Sequence, residues 1–200
     1  MKPRLTARFD EALRFASEVH RLQHRKGGEV PYIAHLLAVT ALVIENDGDE
    51  DTAIAALLHD TVEDQGGLPM LARVNASFGS RVASIVMEVS DNEGDPKPPW
   101  RARKEQFIES IPRLSPEARL IALADKIHNV HSTIEAYRRV GEGVWSRFHG
   151  RREGSLWYYR EVLKAFQIGR TEEQVTNEPL LQDLTRAINS LFAIAGEMSV

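Results

Sequence analysis

The 200-residue chain has no cysteine, which excludes disulfides, zinc–thiolate sites and a cysteine nucleophile. No stretch approaches the ~18 consecutive apolar residues of a membrane-spanning helix. The opening M-K-P-R-L-T-A-R-F-D lacks the apolar centre of a secretory signal. The formal charge of −4 leaves no general basic field for nucleic acid, and there is no long acidic run. Neither a repeat nor a convincing strand pattern can be found. These absences predict a cytoplasmic protein that binds neither nucleic acid nor membrane; they leave an oligomer open.

What is present is an ordinary globular composition, 42% hydrophobic and 27% charged, on a chain long enough to bury a core without metal or disulfide support. The apolar periodicity is helical throughout and predicts a single all-α domain over residues 1–200. Phe9 to Gln23 repeats apolar residues at spacings of three and four. A basic loop, His24-Arg25-Lys26-Gly27-Gly28-Glu29, is closed by Pro31. Tyr32 to Glu45 reads as a buried helix that encloses His35. Asn46 to Asp49 is a turn, with Asp49 or Asp51 capping the next helix, which runs into His59. Leu68–Phe78 and Arg81–Val89 form two further helices, split near Gly79. The Pro-rich segment from Asp91 to Pro99 reads as a surface loop. Helices over Trp100–Ser110, from Ser115-Pro116 to about Tyr137, over Ser155–Phe166 and over about 178–196 complete the chain, with Gly141–Gly150 a loop.

Two stretches interrupt apolar runs with groups that are costly to bury unpaired. In A-A-L-L-H-D-T-V-E-D, four apolar residues lead into His59-Asp60, and Glu63-Asp64 follow one turn later. On a continuous helix His59 and Glu63 share a face, with Asp60 and Asp64 about 100° around it. The bland alternative is a helix end whose polar residues face water. In L-I-A-L-A-D-K-I-H-N-V, Asp125 breaks an apolar run and Asn129 lies four residues on. His35 alone reads as a core histidine, and it gains weight from the second apolar helix that ends in His59. Together His35, His59, Asp60 and Asp125 make a sulfur-free two-histidine, two-carboxylate set suited to Mn²⁺, Fe²⁺, Mg²⁺ or Zn²⁺. A cation there activates water and polarises a phosphoryl oxygen, while Glu63 or Asp64 handles protons. Arg25 and Lys26 read either as solvated loop cations or as a phosphate clamp.

The order H…HD…D resembles the HD-superfamily metal-dependent phosphohydrolases. More narrowly, R-K-G-G-E-V-P-Y-I-A-H, A-A-L-L-H-D-T-V-E-D and L-A-D-K-I-H-N-V are similar to the hydrolase domain of RelA/SpoT-type proteins, and most of all to the stand-alone small alarmone hydrolases. The resemblance covers about residues 5–165. It implies a helical bundle of about eight to ten helices with a metal site in a central cleft, and Mn²⁺-dependent removal of the 3′-pyrophosphate of ppGpp or pppGpp. By position, His35, His59, Asp60 and Asp125 match the family's metal ligands, and Glu63 and Asp64 its catalytic acidic pair. Arg25, Lys26 and Asn129 match its substrate contacts. Gln65, His131 and Ser132 stand where the family commonly has threonine, arginine and threonine; these differences leave the metal set and acidic pair intact and bear on which nucleotide is taken. Two other readings stand beside this one: an HD phosphohydrolase of another nucleotide, a related alarmone or NADPH, and a non-catalytic nucleotide-binding module.

Overall fold

A computed structural model of the chain describes residues 5–90 and 98–198. Among these residues there are eleven α-helices and no strand. Nine of the helices are nine residues or longer, and two, α4 (Thr61–Gln65) and α10 (Glu172–Thr176), have five each. The all-α expectation holds. Most of the Asp91–Pro99 loop lies outside the described residues.

The helices gather into two compact units, and the boundary falls inside one unbroken helix, α8 (Pro116–Val140), between Ala124 and Asp125. The first unit holds α1 (Ala7–Val19), α2 (Ile33–Glu45), α3 (Glu50–Leu58), α4, α5 (Gly67–Phe78), α6 (Ser80–Val89) and the start of α8. Its centre is α3, which packs against α1, α2 and α6. Every residue from Thr52 to Leu58 is buried, as expected of a helix that is apolar all round. Ile54, Leu57 and Leu58 each contribute up to about 1.5–3 kcal/mol by leaving water. Leu36, Val39, Val43, Val74, Val82 and Ile121 close the core around them.

Local chemistry sets the ends of these helices. Asp49 is the cap of α3: its side chain accepts from the backbone N–H of Thr52 at 2.9 Å. Arg81 ties that cap to the rest of the unit, 2.7 Å from Asp49 and 2.8 Å from Glu117. Gly79, at φ 92°, separates α5 from α6, a backbone setting that side chains other than glycine's resist. Ser115 caps α8 by accepting from the N–H of Ala118 at 3.2 Å.

The second unit holds α7 (Trp100–Ser110), the remainder of α8, α9 (Arg151–Gln167), α10 and α11 (Pro179–Ile194). α9 packs on α7 and on α11, burying Tyr158, Tyr159, Phe166, Leu184 and Phe192. Gly141–Gly150 is not a plain loop: Gly141–Arg147 form a 3₁₀ helix that buries Val144 and Trp145. The short helix α10, not expected from the apolar periodicity, is opened by a Thr171/Gln174 capping box. α1 stops at Val19 instead of continuing to Gln23, and the freed His20–Gln23 turn folds its polar side chains toward α4.

Candidate metal centre

The site is built where α3 ends. The expected single helix through His59 and Glu63 is interrupted at His59-Asp60, and α4 starts anew at Thr61. The cause lies in the last carbonyls of α3, which have no partner within the helix. The ring Nδ1 of His59 lies 2.7 Å from the Ala56 carbonyl, and the Thr61 hydroxyl donates to the Leu58 carbonyl at 2.6 Å. Asp60 then sits at φ −94°, ψ −3°, between helical and extended backbone. A carbonyl only accepts, so Nδ1 of His59 carries a proton, and Nε2 is directed away from α3.

Three groups from α2 and the α3–α4 turn converge. His35, 1% exposed on the first turn of α2, places Nε2 3.4 Å from Oδ2 of Asp60. His59 places Nε2 3.2 Å from the same oxygen. The two imidazoles are 5.2 Å apart, edge to face. Tyr32 donates its hydroxyl to that oxygen at 2.6 Å. Burial pushes the Asp60 carboxyl up, but the charges and hydrogen bonds of His59 and His35 outweigh it and hold the group well below the usual carboxylate range. Burial, together with the charges of Asp60 and Asp64, pushes the Tyr32 phenol up, so it stays a donor at any working pH.

Asp125 follows the last α8 residue of the first unit and is 8% exposed in an otherwise apolar stretch. Its two oxygens receive Lys126 Nζ and Asn129 Nδ2, each at 2.5 Å. His35, His59 and Asp125 are each buried within their own unit and offer nitrogen or carboxylate oxygen donors. This buried, sulfur-free set suits a hard or borderline divalent cation. The His59 Nδ1 bond to a backbone carbonyl is the outer contact that fixes a ligating imidazole's tautomer.

The other residues singled out in the sequence are placed as follows. On α4, Glu63 is half-buried and Asp64 exposed. The backbone N–H of Asp64 donates to the Asp60 carbonyl at 3.0 Å, which ties the acidic pair to the turn. In the basic loop the Arg25 N–H donates to the Val30 carbonyl and Tyr32 N–H to the Gln23 carbonyl, both at 2.9 Å. The Arg25 guanidinium lies 5.6 Å from the centre of the Tyr32 ring, the ring whose hydroxyl holds Asp60. Lys26 is exposed. Asn129 contacts Asp125 as its i, i+4 spacing implies. His131 is exposed and His128 half-buried. Sequence reasoning missed Tyr32, His20 and Gln23. The only available sign was the His20/Gln23 spacing at the polar end of α1.

Known proteins resemble this chain over most of its length. A family model described as "HD domain" matches residues 12–156. Guanosine-3′,5′-bis(diphosphate) 3′-pyrophosphohydrolase MESH1 of Mus musculus is 42% identical over 127 residues, 62% of this chain and 68% of the mouse protein. Its Homo sapiens counterpart is 38% identical over 164 residues, 80% of this chain and 86% of the human protein. A solved structure reported as a metazoan ortholog of SpoT that hydrolyzes ppGpp and plays a role in starvation responses superposes at a TM-score of 0.74 and 29% identity. That match covers 93% of this chain and 96% of the other. The crystal structure of lmo0812 from Listeria monocytogenes EGD-e gives 0.69 at 28% identity, over 80% of this chain and 99% of the other.

Proposed function

The chain belongs to the HD-domain family, and from that premise we propose that it hydrolyses the 3′-pyrophosphate of ppGpp and pppGpp, giving GDP or GTP and pyrophosphate. The observation that carries this reading is the convergence of His35 and His59 on one oxygen of Asp60, directly ahead of the acidic pair Glu63-Asp64. The proposed metal ligands are His35, His59, Asp60 and Asp125, holding Mn²⁺ or another divalent ion. When bound, such a cation lowers the pKa of water and draws charge from a phosphoryl oxygen.

The remaining work falls to side chains. Glu63 and Asp64 orient the attacking water and accept its proton as its oxygen bonds to phosphorus and the bond to the 3′-oxygen breaks. Arg25 and Lys26 offset the substrate's phosphate charge, which the protein's net charge of −4 does not attract. Asn129 holds the ribose or base side of the nucleotide. Among the described residues no helix is long and apolar enough to cross a membrane, and we place the protein in the cytoplasm as one HD domain acting on a small nucleotide.

The test pairs two variants with a panel of 3′-pyrophosphorylated nucleotides and NADPH, with products identified. Asp60→Ala should lose metal binding and turnover together. Glu63→Gln should keep metal binding and lose turnover by about 10²-fold or more. Near-normal turnover in Glu63→Gln would remove the acidic pair from the mechanism, and release of phosphate from NADPH alone would move the substrate class.

A further inference from the structure

We propose that His20, Gln23 and Gln65 form a positioning device that fixes the carboxylate of Asp64. This inference rests on the role given to the acidic pair above. Asp64 is exposed on a helix of five residues, and a carboxylate there turns freely unless something holds it. The side-chain amide of Gln23 does so: its Nε2 donates to Oδ2 of Asp64 at 2.7 Å, across 41 residues of sequence.

The Gln23 amide is itself held in one orientation. Its Oε1 accepts from Nε2 of Gln65 at 2.5 Å and lies 2.6 Å from Nδ1 of His20. A flipped amide would set Oε1 against the Asp64 carboxylate, which only accepts, so that carboxylate fixes the orientation of the Gln23 amide. That orientation also assigns the proton on His20, which must sit on Nδ1 to reach Oε1. Burial pushes the His20 imidazole down, more than the Gln23 bond and the nearby carboxylates raise it.

His20 cannot swing away. It is 2% exposed and its ring stacks on Tyr32 at 5.2 Å and 17°. The backbone is pinned as well: the Gln23 N–H donates to the His20 carbonyl at 3.0 Å, and the Gln23 carbonyl accepts from Tyr32 at 2.9 Å. The same Tyr32 holds Asp60 through its hydroxyl. The half-buried Tyr32 ring thus sets the register between the proposed metal ligand Asp60 and, through His20 and Gln23, the proposed proton acceptor Asp64. With Oδ2 engaged, rotation of the Asp64 carboxylate stops and its other oxygen keeps one direction. The competing account is a structural staple joining α4 to the end of α1, with no bearing on the reaction.

A double-mutant cycle separates the two accounts. Gln23→Leu, Asp64→Asn and the pair are compared for kcat and KM on ppGpp, Mn²⁺ affinity by calorimetry, and the His20 ring ¹⁵N shifts in the metal-free protein. Gln23→Leu should lower kcat about tenfold or more, with KM and metal affinity within about threefold of the parent, as expected for losing a hydrogen bond to a charged group. In the Asp64→Asn background it should cost less than about twofold, because the group it positions is already altered. The His20 shifts should report one Nδ1–H tautomer in the parent and a mixture in Gln23→Leu. An equal loss in both backgrounds makes the cluster a staple and overturns the proposal. Parental turnover in Asp64→Asn would instead refute the role of the acidic pair itself. If Gln23→Leu does not fold, Gln65→Thr enters the same cycle, where a loss of about threefold confined to the Asp64 background is expected and no loss overturns the proposal.

Discussion

Replacing Tyr32 with phenylalanine removes one oxygen atom and tests the centre of the site. The ring contacts survive: stacking on His20, the edge to His35 at 5.5 Å, and Arg25 over the face. Only the 2.6 Å bond to Oδ2 of Asp60 is lost. A hydrogen bond to a charged group contributes about 1.5–3 kcal/mol, and the lower end applies because Tyr32 is only half-buried. For a chain of this size each kcal/mol moves Tm by about 2–4 °C, so the metal-free variant should melt about 3–6 °C lower. The larger signal is in metal affinity. Asp60 keeps its histidines but loses the group that orients its carboxylate, and outer contacts of this kind are worth about 10- to 100-fold in affinity. Thermal melts with chelator and Mn²⁺ calorimetry at pH 7 give both numbers. A Kd within about twofold of the parent, or a tighter one, would refute the reasoning: the phenol would then only pack, or would compete with the ion for Oδ2.

Arg25→Ala should raise KM about tenfold, at ~1.4 kcal/mol per decade, with metal content unchanged and a weaker salt dependence than the parent; steady-state kinetics at two ionic strengths measure this. Gly48→Ala places a Cβ 2.5 Å from Val43 Cγ1 and 2.8 Å from the Val43 carbonyl oxygen, so it should cost about 1–3 kcal/mol in a denaturant titration, and an unchanged midpoint would show that the turn after α2 yields freely. Asp60's carboxyl is held low in the folded state, so the stability it contributes to the metal-free protein is present above pH ~4 and is lost as pH falls through the folded value. The gap in Tm between the parent and Asp60→Asn should therefore narrow below pH ~4, and a gap independent of pH would contradict the ion-pair account.

Much of this protein is decided locally and is legible in the chain. The helices α2, α5, α6, α7 and α11 begin and end within a few residues of where apolar period, Gly79 and the prolines put them, and α3 begins where Asp49 caps it, because caps and periodicity act over single turns. His59, Asp60 and Asp125 stand out because a buried carboxylate or imidazole in an apolar run needs a partner wherever it ends up. Their partners are another matter. The break at His59-Asp60 depends on a ring nitrogen and a hydroxyl reaching carbonyls of α3, a competition between side chain and helix that periodicity does not register. Tyr32 reaches Asp60 across 28 residues and Gln23 reaches Asp64 across 41, distances at which sequence spacing carries no geometry. Residue types therefore announced a metal-binding chemistry, and packing around α3 chose which tyrosine, histidine and glutamine would hold it in register, since those contacts exist only after the apolar faces of α1, α2 and α3 have closed on one another.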